Sequence, residues 1–248
     1  MDENLRTRHV SPLSGAFNFR DLGGLATRDG RVTQRGRLYR SDTLQALTPD
    51  DVVRLTVELG VEAIIDLRLA SEVAGEGRGP LASFAGVRHI NTPLQMASAD
   101  KLPAEDVLNA LYLGSLQPGS MLPRAVEHLA NLAGRPTVFH CAAGKDRTGL
   151  LAALVLRLLG ADDETIVADY MASAHNMPRM LERFASWPRY RDHLAGMPPQ
   201  VYAVEEPPIR LFLAELDKRY GGARAWALSN GILSEALAHL EHELLAAR

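Results

Sequence analysis

The chain has one cysteine, Cys141, among its 248 residues. A single cysteine excludes an intrachain disulfide and any metal site built from clustered cysteines. Chains without structural disulfides are typical of reducing compartments. The first 15 residues are polar and lack the apolar segment of a secretory signal peptide. We therefore expect a cytoplasmic protein.

Clustered positive charge and long apolar runs are also scarce. The 27 basic and 30 acidic residues give a formal net charge of −3, without a polybasic run. Nucleic-acid binding and stable attachment to anionic membranes both depend on clustered Lys and Arg, so we expect neither. The longest apolar stretch, residues 150–156, is far shorter than the roughly 20 residues that cross a bilayer. The sequence is typical of a soluble globular protein.

The order of the predicted elements indicates an α/β fold. No low-complexity linker divides the chain, so we predict an N-terminal arm over residues 1–14 and a single domain over residues 15–248. Short β-type runs alternate with helical patterns, which favours a central, largely parallel sheet flanked by helices. The predicted strands cover residues 37–40, 63–67, 87–91 and 137–140, and the predicted helices cover about 44–59, 104–117, 120–133, 147–159, 162–174, 178–194, 209–219 and 231–246.

Residues 136–150 contain a strand, a cysteine, a short loop, an arginine and a strongly apolar helix, in that order. A cysteine between a strand and a helix N-terminus faces unpaired N–H groups and the positive end of the helix dipole, which favour the thiolate. Cys141 is therefore the predicted nucleophile. The backbone N–H groups of the loop are predicted to cradle a tetrahedral oxyanion, with Gly144 permitting a conformation that a Cβ would hinder. The predicted phosphate-binding residues are Ala142, Ala143, Gly144, Lys145, Asp146 and Arg147.

The side chains of this segment have separate predicted roles. Arg147 presents a planar fork that can bind two phosphate oxygens at once. Thr148 can offer its hydroxyl to the cysteine sulfur and ease the departure of that sulfur from a phosphocysteine. His140 is expected to order the loop through hydrogen bonds rather than to act as a base. Lys145 is expected to add positive charge near a second phosphate or a carboxylate of the substrate; the alternative is an exposed side chain that supplies only general attraction.

Residues 140–149, His-Cys-Ala-Ala-Gly-Lys-Asp-Arg-Thr-Gly, resemble the signature loop of the cysteine-dependent protein-tyrosine phosphatase superfamily. The GKDRTG form is similar to the atypical bacterial branch, which includes dual lipid and protein phosphatases. Further similarity to that branch lies in residues 18–24, 38–41, 65–68 and 168–170. The resemblance implies a protein-tyrosine-phosphatase-like fold with the phosphate loop between a strand and a buried helix. It also implies hydrolysis of phosphotyrosine in proteins or peptides through a phosphocysteine, with phosphoinositides as a secondary substrate. This chemistry needs no metal or cofactor.

The residue that protonates the leaving oxygen is left open by the sequence. Most relatives use an aspartate on a movable loop upstream of the cysteine, often in a Trp-Pro-Asp sequence. Here residues 187–189 read Trp-Pro-Arg and lie downstream of the cysteine. The resemblance favours Asp146, inside the loop. Asp66, at the end of a predicted strand, is the alternative acid, and its structural interpretation is an ion pair with Arg68 or Arg20.

Other residues have two interpretations each. Arg20, Asp21 and Arg40 either support the phosphate loop from behind or stabilise turns. Residues 177–208 mix apolar and basic side chains and end in a Pro-rich loop; they form either a lid over the site or a helix packed on the core.

Two other functions compete with the phosphatase. Rhodanese-like sulfurtransferases also carry a cysteine in an anion-binding loop, but Arg147, six positions after Cys141 and followed by Thr148, favours the phosphatase. A phospho-ligand binding module without turnover is disfavoured because nucleophile and arginine are both intact. In a purely structural interpretation, Cys141 is a buried structural cysteine and Arg147 is a surface partner of an acidic residue.

Overall fold

A five-stranded sheet forms the centre of the computed structural model, which describes residues 13–95, 102–196 and 199–247. Nearly all of the predicted N-terminal arm lies outside these described residues. In this part of the chain the strands are β1 Arg20–Asp21, β2 Val32–Thr33, β3 Leu38–Ser41, β4 Ala63–Asp66, β5 Arg88–Asn91, β6 Thr137–His140 and β7 Leu245–Ala246. The four strands predicted from the sequence correspond to β3, β4, β5 and β6.

The sheet order is β1–β3–β6–β4–β5. Strands β3, β6, β4 and β5 pair in parallel, and β1 joins the edge of β3 in the antiparallel sense. Strands β2 and β7 form a separate antiparallel pair. A largely parallel sheet, as predicted, is confirmed.

Both faces of the sheet are covered. Neighbouring residues of β6 point to opposite faces, so Val138 packs with Tyr39 and Ile64, whereas Phe139 packs with the large cluster that includes Leu38 and Ile65. Continuous apolar strands are expected where helices cover a parallel sheet on both sides. The inner strands are accordingly buried along their whole length.

The helices agree with most of the predicted ones. They are α1 Pro49–Val53, continued by a π-helical turn at Arg54–Glu58, α2 Ala70–Glu76, α3 Ala104–Gly114, α4 Leu122–Leu132, α5 Asp146–Leu158, α6 Asp163–Met171, α7 Met177–Ser186, α8 Pro188–Gly196, α9 Glu206–Tyr220, α10 Ala223–Ser229 and α11 Ser234–Leu244. The short helices α2 and α10 were not predicted. None of the helices in the described part of the chain combines the length and the apolar character that crossing a bilayer requires.

The predicted helix over 178–194 is two helices. Trp187, between α7 and α8, has an extended backbone with φ −102° and ψ 121°. The residue before a proline is sterically pushed out of the helical region, and Pro188 follows Trp187. One proline therefore divides the segment and lets α8 pack back against α7.

Helix α5 is buried on nearly every side, as its apolar pattern predicts. It packs against β3, β6, α4, α6 and α10. Only five residues separate its first residue, Asp146, from the end of β6. The helix N-terminus is thereby held beside the carboxyl end of the central strand, which is where ligands bind in open α/β sheets.

Candidate active site

The loop between β6 and α5 holds the cysteine. Cys141 follows β6 directly and is 2% exposed. The N–H of Gly144 donates to the Cys141 Sγ at 3.2 Å, and such a donor stabilises negative charge on the sulfur. The thiol therefore lies at the bottom of the loop, beside the N-terminus of α5.

Gly144 lets the loop pack against the segment that follows β3. Its φ is +67°, and a Cβ added there would lie 2.6 Å from the backbone atoms Ser41 O and Asp42 N. Ala142 also touches this segment, because its carbonyl accepts from the N–H of Thr43 at 3.0 Å. Any larger residue in place of Gly144 would push the loop away from the sheet.

A network of polar side chains holds the loop from behind. The carbonyl of Gly144 accepts from Arg40 Nη2 at 2.7 Å and from Asn18 Nδ2 at 3.0 Å. Both Arg40 and Arg20 are ion-paired to Asp169, with Arg20 Nε 2.8 Å from the carboxylate. Asn18 and Asp169 lie within residues 18–24 and 168–170, which resemble the family, but the sequence analysis assigned neither residue a role.

The charges in this network determine one another's ionisation. Burial opposes the charge of Asp169, but Arg40 and Arg20 outweigh it and lower the pKa of that carboxyl. Burial and the nearby Arg40 lower the pKa of Arg20 to about 10. Asp21 does not join the network; it accepts from two glycine N–H groups at 2.8 Å each and stabilises turns. Of Arg20, Asp21 and Arg40, only Arg40 contacts the loop directly, and Arg20 is linked to it through Asn18 and Asp169.

Arg147 is held by a carboxylate that the sequence analysis missed. Its Nη1 and Nη2 atoms contact the two carboxylate oxygens of Glu72 at 2.5 and 3.0 Å. Burial disfavours the charged guanidinium, but the charges of Cys141 and Glu72 raise the pKa of Arg147 above its usual value. Conversely, Arg147 lowers the pKa of Glu72 despite burial. The pair fixes the guanidinium beside the thiol rather than at the protein surface.

Glu72 could have been found from its position. It lies in the first turn of α2, just after the end of β4, where it also caps the helix by accepting from the N–H of Leu69 at 2.7 Å. An acidic residue that follows a parallel strand lies at the same sheet edge as Cys141. Helix α2 was not predicted, so the sequence analysis did not place Glu72 at this edge of the sheet.

His140 and Thr148 lie on either side of Cys141 in the sequence and differ in their contacts. The hydroxyl of Thr148 is fully buried and has no hydrogen-bond partner within the described ranges. His140 Nδ1 lies 3.1 Å from the carbonyl oxygen of Cys141. Burial lowers the pKa of His140 to about 4, so the ring is neutral at pH 7. This geometry supports an ordering role for His140.

Asp66 is placed as a structural ion pair. It is fully buried, and its carboxylate contacts Arg68 at 2.6 and 2.9 Å and His89 Nε2 at 3.3 Å. Burial opposes its charge, but His140, His89 and Arg68 hold the pKa of Asp66 far below its usual value. A carboxyl that is ionised at neutral pH has no proton to donate. The geometry favours the structural interpretation of Asp66, with Arg68 as its partner, over the alternative-acid hypothesis.

Asp146 occupies the mouth of the loop. Its side chain is 26% exposed, and Oδ1 accepts from the hydroxyl of Tyr112 at 2.7 Å. The same oxygen lies 3.2 Å from Lys145 Nζ. Asp146 is thus close to the phosphate loop and partly open to solvent, as a proton donor requires.

Lys145 differs from both of its sequence interpretations. The side chain is 1% exposed, and Nζ donates to the carbonyl oxygens of Val201 and Ala203 at 2.6 and 2.7 Å. Both interpretations require a free ammonium group, since one puts it beside a second substrate charge and the other at the protein surface. Here that group is engaged by a segment more than 50 residues later, which local sequence does not reveal.

Helices α7 and α8 cover the loop. Phe184 and Tyr190 form a buried cluster with Ala142, and Trp187 packs against it. Arg183 Nη1 reaches Asp42 Oδ2 at 3.1 Å, next to the loop. Helices α7 and α8 therefore pack against the loop, an arrangement that both the lid and the packed-helix interpretations allow.

Comparison with known proteins identifies relatives along most of the chain. A family model described as "Tyrosine phosphatase family" matches residues 11–246. The chain is 33% identical over 208 residues to the triple specificity protein phosphatase PtpB of Mycobacterium tuberculosis, covering 71% of this chain and 73% of that protein. It is 27% identical over 226 residues to a tyrosine-protein phosphatase of Nostoc commune, covering 83% of this chain and 73% of that one.

A solved structure is also similar. The core catalytic domain of the PP-IP phosphatase SIW14 from S. cerevisiae matches 70% of this chain and 93% of its own, with 18% identity and a TM-score of 0.39.

Proposed function

This chain belongs to the tyrosine phosphatase family, and on that premise we propose that it hydrolyses phosphotyrosine in proteins or peptides through a phosphocysteine at Cys141. One observation carries the proposal. A buried thiol accepts a backbone N–H from its own loop, at the N-terminus of a buried helix, beside an arginine that a carboxylate holds in place. This arrangement suits a dianionic phosphate and a negatively charged nucleophile.

The first step transfers the phosphoryl group. The Cys141 thiolate attacks phosphorus, the S–P bond forms and the P–O bond to tyrosine breaks. The leaving oxygen keeps the bonding pair and takes a proton from Asp146. The loop N–H groups and Arg147 bind the phosphoryl oxygens as charge redistributes.

The second step restores the enzyme. Water attacks phosphorus, the Asp146 carboxylate takes a proton from that water, and the S–P bond breaks with its electron pair on sulfur. In this proposal the buried Thr148 hydroxyl, which has no hydrogen-bond partner among the described residues, donates to the sulfur that leaves. Inorganic phosphate is released. A thiolate mechanism of this kind suits the reducing cytoplasm.

Phosphotyrosine is the primary substrate in this proposal, and phosphoinositides are secondary. A phosphoinositide site needs extra cations for neighbouring phosphates, and Lys145, the nearest candidate in the loop, is engaged by Val201 and Ala203. We also propose that α7 and α8 form a lid that excludes bulk water from the phosphocysteine.

Phosphate release by the freshly reduced protein tests the function. We expect release from a phosphotyrosine peptide and from p-nitrophenyl phosphate, and none from the Cys141→Ser variant, which should still bind the peptide. Thiocyanate formation from thiosulfate and cyanide, without phosphate release, would instead support the sulfurtransferase. Binding of the peptide without turnover would support the binding module.

A further inference from the structure

Two buried tyrosines lead from the core to Asp146. Tyr112 is on α3 and is fully buried; Tyr170 is on α6 and is 1% exposed. The Tyr112 hydroxyl lies 2.7 Å from Asp146 Oδ1 and 2.7 Å from the Tyr170 hydroxyl. The rings meet edge to face, with centroids 6.2 Å apart and planes at 85°. This packing of the two rings fixes the positions of both hydroxyl groups.

The direction of these hydrogen bonds follows from the number of protons. A phenol has one O–H, and that of Tyr112 is donated to Asp146. Tyr170 must therefore be the donor in its contact with Tyr112. Burial and the charge of Asp146 raise the pKa of both tyrosines, so both keep their protons at neutral pH. The chain of donors runs from Tyr170 through Tyr112 to Asp146, and each bond polarises the next.

These contacts distinguish the two oxygens of Asp146. Oδ1 faces two donors, the Tyr112 hydroxyl at 2.7 Å and Lys145 Nζ at 3.2 Å. Both of these donors therefore converge on Oδ1 rather than on Oδ2. An oxygen that already accepts two hydrogen bonds is a poor place for a proton, so the acidic hydrogen belongs on Oδ2.

We infer that Tyr112, oriented by Tyr170, is a positioning residue that fixes the rotamer of Asp146 and so presents a protonated Oδ2 to the leaving oxygen. The inference rests on the proposed function, in which Asp146 is the acid. When the P–O bond breaks, the proton on Oδ2 moves to the tyrosine oxygen, and the proton of Tyr112 stays in place. A tyrosine that served only to fill the core would not affect this transfer.

The test compares two leaving groups. Phenolate has a basicity near that of tyrosine, with a pKa of about 10, and needs protonation as it leaves; p-nitrophenolate is far less basic and leaves without help. We measure kcat/KM, which covers the steps up to phosphocysteine formation. For Tyr112→Phe we expect a loss of about tenfold or more on phenyl phosphate and under about threefold on p-nitrophenyl phosphate. Tyr170→Phe should show the same selectivity with a smaller loss.

Tyr220→Phe is the matched control. Its hydroxyl donates to the carbonyl of Leu116 at 2.8 Å, just beyond the same helix α3, but has no link to the acid. This variant should leave the ratio of the two substrates unchanged. Equal losses on both substrates in Tyr112→Phe and Tyr170→Phe would show that the tyrosines only stabilise the fold, and would overturn the inference.

A double-mutant cycle separates this inference from the proposed function. Asp146→Asn should itself lose activity selectively on phenyl phosphate, and Tyr112→Phe should add no further selectivity in that background. If Asp146→Asn shows no selectivity, Asp146 is not the acid and the proposed mechanism fails. If Asp146→Asn is selective and Tyr112→Phe is not, only the positioning inference fails.

Discussion

Arg147 is ion-paired with Glu72 and electrostatically coupled to Cys141, and its planar fork matches both a carboxylate and a phosphate. With two of its nitrogens on Glu72 at 2.5 and 3.0 Å, the guanidinium has one orientation relative to the loop. A fixed donor lowers the barrier more than a mobile one because it needs no reorganisation during the reaction.

Arg147→Lys should therefore lose most of kcat. A lysine keeps the charge but cannot contact Glu72 and two phosphate oxygens at the same time, so we expect a decrease of about a hundredfold. Steady-state kinetics on p-nitrophenyl phosphate measures it. Arg210→Lys, at an exposed arginine that pairs with Glu164 and Glu206, is the control and should keep its rate. A near wild-type rate in Arg147→Lys would make the arginine structural.

Asp42 gives a pH dependence whose sign can be worked out. Burial raises the pKa of this carboxyl to about 6, although the N–H of Asn18 and the charge of Arg183 oppose the shift. Asp42 therefore keeps its proton to a higher pH in the folded protein than in the unfolded chain, where the pKa of this carboxyl is 3.8. The stability that this group contributes is fully present below pH 3.8 and is lost as pH rises through 6.

Asp42→Asn removes this titration. The stability of the variant relative to the wild type should rise between pH 4 and pH 7, by at most about 3 kcal/mol. Urea unfolding of both proteins at each pH measures the difference. Arg183→Gln should move the midpoint of the wild-type effect to higher pH, because the cation favours the ionised carboxyl. A constant difference across this range would contradict the assignment.

At the scale of elements, one proline decides how the site is covered. Because Trp187 cannot continue the helix before Pro188, α7 ends and α8 turns back, and Phe184 and Tyr190 stack at 4.6 Å between ring centroids. This cluster is separate from the main core, so we predict that the two helices open without exposing the sheet.

Phe184→Ala tests that independence. Loss of the ring should speed amide hydrogen exchange in α7 and α8 by about tenfold or more, since each 1.4 kcal/mol of lost packing is a factor of ten, and leave β6 and α5 unchanged. Phe212→Ala, in the main core, is the matched control and should speed exchange across the sheet. Faster exchange in β6 and α5 of the Phe184→Ala variant would make the two helices part of the core rather than a lid.

At the scale of the whole molecule, Lys145 connects the phosphate loop to a segment that follows α8. Its buried side chain donates to two carbonyls and lies beside Asp146, so Asp146, the loop and residues 201–203 form one unit. The C-terminal strand adds a second connection, because β7 pairs with β2 near the start of the described chain.

Lys145→Met keeps the apolar stem and removes the donors. We expect the free energy of unfolding to fall by roughly 2–3 kcal/mol, since bonds to charged groups are the stronger ones. We expect kcat/KM to fall in similar proportion on phosphotyrosine peptides and on soluble phosphoinositides. Lys218→Met, at an exposed lysine near Glu215, is the control for charge alone. A loss confined to phosphoinositides, with unchanged stability, would restore Lys145 to the substrate-binding role.

Particular residues show how far the sequence alone reached. The strand, the cysteine, the loop, the arginine and the apolar helix follow one another within a few residues. Such a short segment can fold in few ways. The loop, the buried α5 and the parallel strands were therefore predictable. The family followed from the same residues, because phosphate chemistry restricts which residue types stand at which spacing.

Tertiary structure alone decided the partners. Burial forces charged groups to find partners, and here these are Glu72 for Arg147, Asp169 for Arg20 and Arg40, and the carbonyl oxygens of Val201 and Ala203 for Lys145. For Asp66 the sequence left Arg68 and Arg20 open, and the structure selects Arg68. Several partners could satisfy each such charge, so local sequence does not select one. The selection depends on which elements the sheet order brings together at one edge, and that order is set by packing over the whole chain.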